Sequence, residues 1–313
     1  LRKVSLCSTL MTGPDRYTGS ATKGFLPMIV VTGATGQLGR VVLTNLLKKI
    51  PANHIVAAVR DTAKAADLSA LGVQVRQADY TKPETLATAF AGASRLLLIS
   101  SNAMGPARIA QHRAAIDAAK AAGVAFIAYT SVLRADASTL AVAPDHLATE
   151  QLLAASGVPY TFLRNGWYLE NYTSSLGAAL AHGAVIGSSG DGRIAAAARA
   201  DYAEAAAVVL ATGGHDGKIY ELAGDVPFTF SELAAEVSKQ SGKVVVYSNL
   251  TPEAYEATLK GFGLPAEVAK MLAGFGFPTS QGELDSTSKD LSTLIGHPTT
   301  TLAAAVTAAL PKS

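Results

Sequence analysis

Three glycines spaced three apart, Gly33, Gly36 and Gly39, sit in Val31-Thr32-Gly33-Ala34-Thr35-Gly36-Gln37-Leu38-Gly39-Arg40. An apolar run ends at Thr32, and a helix-like pattern follows from Gly36 to Ile50. Between a strand and a helix, this spacing suits a diphosphate. Gly33 permits the tight turn, Gly36 leaves no side chain between backbone and pyrophosphate, and Gly39 lets helix and strand approach. The helix start then offers free N–H groups to the anion. No Gly-Lys-Ser or Gly-Lys-Thr pair follows, which argues against a triphosphate loop.

A second apolar run, Ile55–Val59, ends at Arg60-Asp61, with Lys64 close behind. A carboxylate at such a tip holds a ribose 2′-hydroxyl, whereas a cationic fork suits a 2′-phosphate. Arg60 therefore points to NADPH rather than NADH. Asp79 is placed to accept the adenine amino group and Tyr80 to cover a ring face, and a local turn explains Asp79 nearly as well. Ser100-Ser101-Asn102, Thr130-Ser131 and Arg164-Asn165-Gly166-Trp167-Tyr168 leave three later strands on the ligand side.

These residues need a scaffold, and the chain supplies one. Strand-like runs at Met28–Thr32, Ile55–Val59, Val73–Gln77, Arg95–Ile99, Ala125–Tyr129 and Tyr160–Leu163 alternate with helical stretches at 36–50, 63–71, 83–90, 106–122 and 146–155. That alternation predicts an α/β fold, a Rossmann-like doubly wound parallel sheet, with a smaller C-terminal substrate domain. The expected division is a leader or added segment at 1–27 and an NADPH-binding domain at 28–164. Return elements are expected near 200–221, with a substrate or lid domain over most of 165–313. In the second half, helices are expected at 171–181, 201–210 and 229–240, and strands at 218–222 and 243–247. Thr229 or Ser231 with Glu232 forms a capping box there. Thr251-Pro252-Glu253 opens a further helix, a Gly- and Pro-rich region spans 261–282, and two short helices end the chain.

The 313 residues are 49% hydrophobic and 16% charged, with a net charge of +2. This supports a large core, and without a basic block it makes nucleic acid an unfavoured partner. No apolar run reaches the ~18–20 residues of a membrane span. A single cysteine, Cys7, excludes an internal disulfide. A cytoplasmic location is the expectation.

Thr32–Gly39, Arg76-Gln77-Ala78-Asp79-Tyr80, Leu96–Ser100, Gln111-His112-Arg113, Phe126–Ser131, Leu163–Tyr168, Ile194 to Tyr202 and Leu294–Thr300 together resemble the short-chain dehydrogenase/reductase superfamily. The likeness is to its atypical, NmrA-like branch and looks close to the NADPH-dependent quinone oxidoreductases, and it covers Met28 to about Leu310. It implies that Gly33, Thr35, Gly36, Gln37 and Leu38 line the pyrophosphate, with Arg60 at the 2′-phosphate. Ser100, Ser101 and Asn102 would border the cofactor, and Asn165 and Trp167 would lie near nicotinamide and acceptor. It also implies a homodimer, with a monomer as the alternative.

The superfamily's usual Tyr-x-x-x-Lys pair with an earlier Ser is missing. Anchored on Glu150, the Lys position holds His146 and the Tyr position Val142, which leaves only Ser131. Alcohol–ketone chemistry needs that pair. A quinone is oxidising enough to accept hydride with positioning and polarisation alone. The expected function is two-electron quinone reduction by direct hydride transfer. The alternatives are an NADP(H)-binding redox sensor that regulates a protein partner, and a reductase of triphenylmethane dyes or other conjugated xenobiotics. A dye-reducing relative shares Tyr160–Asn165. The candidate catalytic residues are Asn165, Trp167, His146 and Ser131. His146 would hold the nicotinamide ribose or donate a proton, or else be a structural histidine. Asn165 would orient the carboxamide or acceptor oxygen, or cap structure. Trp167 and Tyr168 would stack on a flat ring, or pack between domains. Asp145, His146 and Glu150 are near enough to suggest a metal, but a dinucleotide fold explains them better, and no metal is expected.

Overall fold

The computed structural model describes residues 26–311, so the expected leader lies outside it except for Leu26 and Pro27. The first half alternates strictly. Its strands are β1 (Ile29–Thr32), β2 (Ile55–Val59), β3 (Gln74–Gln77), β4 (Arg95–Leu98), β5 (Phe126–Val132) and β6 (Tyr160–Asn165). Its helices are α1 (Gln37–Leu47), α2 (Ala66–Ala70), α3 (Pro83–Phe90), α4 (Pro106–Ala121) and α5 (Ala143–Ala155). The expected helix at 63–71 is instead a 3₁₀ turn followed by the short α2, because the Asp61 carboxylate accepts from the Ala63 N–H and tightens the start.

The strands form one parallel sheet in the order β3-β2-β1-β4-β5-β6-β8, where β8 is Lys218–Leu222. Order reverses between β1 and β4, and that switch point opens a crevice at the carboxyl ends of these strands. Strand residues alternate between two cores. Val30, Val56, Leu96 and Ile127 pack under α3 and α4 with Leu86, Phe90 and Ile116. Ile29, Val31, Ile55 and Leu97 pack under α1 and α8 (Arg199–Ala211) with Leu43, Leu46, Tyr202 and Leu210. Burial on both faces explains why β1, β2 and β4 read as nearly continuous apolar runs.

The remaining elements are α6 (Glu170–Thr173), α7 (Leu176–His182), β7 (Ala184–Gly187), α9 (Phe230–Ser241), β9 (Val246–Asn249), α10 (Pro252–Gly261), α11 (Ala266–Gly274), α12 (Gly276–Ser280), α13 (Asp290–Ile295) and α14 (Leu302–Ala309). They surround a third core of Leu176, Val185, Phe228, Leu233, Val237, Leu284 and Val306. α13 does not join it: Leu291 and Ile295 return to the sheet's core.

Three expectations are corrected here. The helix at 171–181 breaks at Ser174-Ser175, where the Ser175 hydroxyl donates to the Tyr172 carbonyl. The strand at 243–247 starts later and pairs with the unforeseen β7, because the Val245 N–H and carbonyl are both taken by Ser238 Oγ. The glycine-rich region at 261–282 holds α11 and α12, its glycines falling at helix ends such as Gly263 (φ 85°) and Gly274. The capping box lies at Thr229 and Glu232, each side chain accepting the other's backbone N–H.

Candidate active site

The crevice at the switch point is a cavity of about 900 Å³. All of Gly33, Thr35, Gly36, Gln37, Leu38, Gly39, Arg60, Asp79, Tyr80, Ser100, Ser101 and Asn102 line it. Gly33 adopts φ 58°, which only glycine takes freely. A Cβ on Gly39 would lie 2.4 Å from the Gly33 carbonyl oxygen and 2.8 Å from Ala34 Cα, so the turn after β1 and the helix meet there backbone to backbone. At the start of α1, Gly36 supplies no capping side chain and the first turn carries no acid. These N–H groups are open to an anion.

Arg60 and Lys64 stand exposed at one end of the cavity, and Arg60 makes no ion pair among the described residues. Lys64 approaches Asp61 only to 4.0 Å, while Arg40 is engaged by Asp67 and the Lys64 carbonyl. The Asp79 carboxylate accepts from the Thr81 N–H and hydroxyl at 2.9 and 2.8 Å, and those bonds hold its pKa below the ordinary value. Its local-turn reading is therefore realised, beside the cavity. The Tyr80 hydroxyl lies 2.6 Å from Thr32 Oγ1 and 2.8 Å from the Ile99 carbonyl and shares its one proton between them, strapping the end of β1 to that of β4.

The loop after β4 carries no regular structure, yet side chains from four elements hold its backbone. The Ile99 N–H donates to Thr32 Oγ1 (2.9 Å), Ser100 N–H to Thr130 Oγ1 (2.9 Å) and Ser101 N–H to His112 Nε2 (2.9 Å). Arg108 Nε donates to the Ala103 carbonyl (2.6 Å), and Gly105 N–H donates to Asp145 (2.7 Å). His112 is fully buried, and burial, then the nearby Arg108 charge, pushes its pKa down to about 4. It stays neutral, so Nε2 accepts and Nδ1 donates to Thr149 Oγ1 at 2.9 Å.

The four candidate catalytic residues do not converge. His146 lines neither large cavity and is buried, with Nδ1 2.8 Å from the Tyr129 hydroxyl and Nε2 3.4 Å from Arg108 Nη1. Burial, then Arg108, lowers its pKa to about 3, which overturns the expectation that both charge states are accessible. Ser131 is also taken: its hydroxyl donates to Glu150 at 2.6 Å. Glu150 in turn receives Arg164 Nε and Nη2 at 2.9 and 2.7 Å, while Arg164 Nη1 reaches Asp136 and Glu221 at 2.8 Å each. Burial opposes the Arg164 charge, but these carboxylates outweigh it and hold its pKa above the ordinary value. Ser131 thus belongs to a structural ion network. Asn165 is buried at the end of β6, beside the first cavity's Tyr168, with its Oδ1 lacking a hydrogen-bond partner. No group of three His, Cys, Asp or Glu that could hold a metal ion gathers among the described residues.

Trp167 lines a second cavity, of about 1030 Å³, where it meets Phe275 edge to face at 5.1 Å. Its other walls come mainly from α6, α7, β7, α10, α11 and α12. Gln37, Asn171 and Arg199 line both cavities, so these three mark where they join. Arg199 stacks over the Tyr168 ring at 4.8 Å, and its backbone N–H donates to the Glu170 carboxylate. Sequence reasoning missed the placement of Asn171, Arg199 and Gln111, which also lines the first cavity. No motif marks Asn171; Arg199 and Gln111 lay within the resemblance segments without an assigned role.

Residues 27–301 match the NmrA-like family. The chain is 57% identical over 279 residues to quinone oxidoreductase 2 of Escherichia coli strain K12, covering 89% of this chain and 97% of that protein. The crystal structure of the E. coli NADPH-dependent quinone oxidoreductase complexed with NADPH superposes with a TM-score of 0.87 at 56% identity, over 90% of this chain and 99% of that one. The Citrobacter sp. triphenylmethane reductase complexed with NADP(H) superposes with a TM-score of 0.88 at 43% identity, over 90% and 100%.

Proposed function

The chain belongs to the NmrA-like family, and on that premise we propose that it is an NADPH-dependent oxidoreductase that reduces quinones by two electrons. The observation that carries this reading is the pairing of two joined cavities. One is lined by the glycine turn, an uncapped helix start and Arg60, and the other is mostly apolar and lined by Trp167. The residues present suit the dinucleotide. A Cβ on Gly36 would crowd the Gly33 carbonyl oxygen at 3.0 Å, and Ser101, in the cavity wall, keeps a buried hydroxyl with no partner.

In this reading Gly33, Thr35, Gly36, Gln37, Leu38 and Gly39 cradle the pyrophosphate, and Arg60 with Lys64 takes the 2′-phosphate. Ser100, Ser101 and Asn102 border the nicotinamide half, and Asp79 and Tyr80 shape the adenine end. Bound NADPH supplies the hydride. Gln37, Asn171 and Arg199 stand where donor and acceptor meet, and Arg199 offers a cation to the oxygen that gains charge. Burial raises the Tyr168 pKa, so its hydroxyl stays protonated beside Asn165. No buried general acid is needed, since a reduced quinone takes its proton from water. The expected compartment is the cytoplasm and the expected assembly a homodimer, checked by fractionation and light scattering.

The test is loss of NADPH absorbance with 1,4-benzoquinone, menadione and a triphenylmethane dye, each tried with NADPH and NADH. Quinone-dependent oxidation favouring NADPH is the expected result. Tight NADPH binding without turnover on any acceptor would sink the assignment.

A further inference from the structure

The second cavity is larger than a bare quinone requires. Its volume of about 1030 Å³ reaches the upper end of the ~300–1,000 Å³ that accommodates drug-sized ligands. A single ring with its two oxygens fills a small part of that space. The lining is also polarised. The end shared with the cofactor cavity carries Gln37, Asn171 and Arg199. Beyond it, the walls include Trp167, Phe230, Leu259, Phe262, Met271 and Phe275, and the only ionisable side chains from Asp, Glu, Lys, Arg or His are Glu170 and His182. Glu170 is occupied by the Arg199 N–H, and His182 stacks on Phe262 at 5.6 Å.

This apolar wall does not end inside the molecule. Phe262 and Met271 line the cavity, yet are 53% and 41% exposed. Val268, one helical turn from Met271 on α11, is 38% exposed. Apolar surface left in water is unfavourable, and a ligand that covers it gains affinity in proportion to the area removed.

We propose that the acceptor is a quinone carrying an apolar substituent longer than its ring, such as a prenyl or alkyl chain. This rests on the quinone reading above. The ring oxygens lie at the Gln37, Asn171 and Arg199 end, and the chain runs along Trp167, Phe275 and Leu259 toward Phe262 and Met271.

The experiment compares dimethoxy-methyl-benzoquinones that share one head and carry no chain, one prenyl unit, two prenyl units or a decyl chain. Binding is read from quenching of Trp167, the only tryptophan, in protein saturated with NADP+, and turnover is read separately with NADPH. Affinity and kcat/KM are expected to rise at least tenfold from the chainless head to the decyl quinone. In Phe262→Ser and Met271→Ser that ratio falls toward one. Val226→Ser, at a 69% exposed position lining neither cavity, keeps the wild-type ratio. Equal affinity and kcat/KM across the series would overturn the inference and leave quinone reduction standing. Absence of turnover with every member would overturn the quinone reading itself.

Discussion

Around the first cavity, buried polar side chains set the backbone. Thr32, Thr130, His112, Arg108 and Asp145 each hold one N–H or carbonyl of the 99–105 loop, and they come from strands and helices far apart in the chain. Around the second, the described side-chain hydrogen bonds of α10, α11 and α12 stay local: Thr251 to Ala254, Lys260 to Glu256, Thr279 to Phe275. What ties these helices to the opposite wall is apolar contact, Phe275 on Trp167 and Phe262 against His182. A hydrogen-bonded wall has one geometry, since a buried donor without its acceptor loses about 1–3 kcal/mol. An apolar wall slides and repacks at smaller loss. The contrast predicts strict discrimination among cofactors and, among acceptors, a looser preference graded by the apolar area each covers.

The most severe way to break the rigid side is at Gly39. A side chain there meets backbone, not a flexible neighbour, so nothing nearby can yield. Gly39→Val is expected to abolish NADPH binding, read by fluorescence titration, and to destabilise the fold by upwards of about 3 kcal/mol. A variant that binds NADPH normally would show that the close approach of α1 to the Gly33-Ala34 turn is dispensable.

Acid should act on the same side. His112 and His146 are held neutral, with pKa values lowered to about 4 and about 3. An unfolded histidine titrates near ~6.5, so below that pH the unfolded chain binds protons the folded one refuses. The stability from these two groups is complete above about pH 6.5 and drains away as pH falls toward their folded values. Between pH 6.5 and 4.5 the pair should lose about 4 kcal/mol, at up to ~1.4 kcal/mol per unit each. Urea unfolding of wild type and His146→Gln checks this. The variant's acid slope should be shallower by one histidine's share, and equal slopes would remove His146 from the account.

Arg60 tests discrimination directly. Removing a charge-assisted contact of ~1.5–3 kcal/mol should raise the NADPH KM about 10- to 100-fold in Arg60→Ala and leave NADH unaffected. A parallel loss for both cofactors would detach Arg60 from the 2′-phosphate. Acceptor KM values should stay within about twofold, as the contrast between the walls requires.

How much of this was legible follows the same division. The glycine turn, the strand tip at Arg60 and the cap at Thr229 are local, so residue type and spacing identify them. The β1, β2 and β4 strands were readable because burial on both faces leaves a nearly unbroken apolar run, whereas the edge strand β3, Gln-Val-Arg-Gln, is only partly buried and carries none. His146 and Ser131 misled for the opposite reason. Their state is set by Arg108, Tyr129, Glu150 and Arg164, partners that only the assembled sheet brings near. Asn171, in α6 just after β6, and Arg199, at the start of α8, meet at the junction from separate elements, and no spacing rule brings them together. The helices within 261–282 were hidden by glycines that end helices rather than prevent them.

The smallest expected effect is the most discriminating, since it separates a loop pin from general packing. In His112→Leu the Ser101 N–H loses its acceptor, and the 99–105 loop is released at one point of five. The expected result is a rise of about tenfold in the NADPH Kd, equivalent to ~1.4 kcal/mol, with the quinone KM unmoved. His112→Gln keeps an amide oxygen that accepts from Ser101 and an amide N–H that donates to Thr149, so it should recover most of the affinity. A leucine variant that melts earlier yet binds NADPH as wild type does would mean that His112 supports the core alone. The loop's geometry would then owe nothing to that hydrogen bond, and the rigid wall would rest on Thr32, Thr130, Arg108 and Asp145.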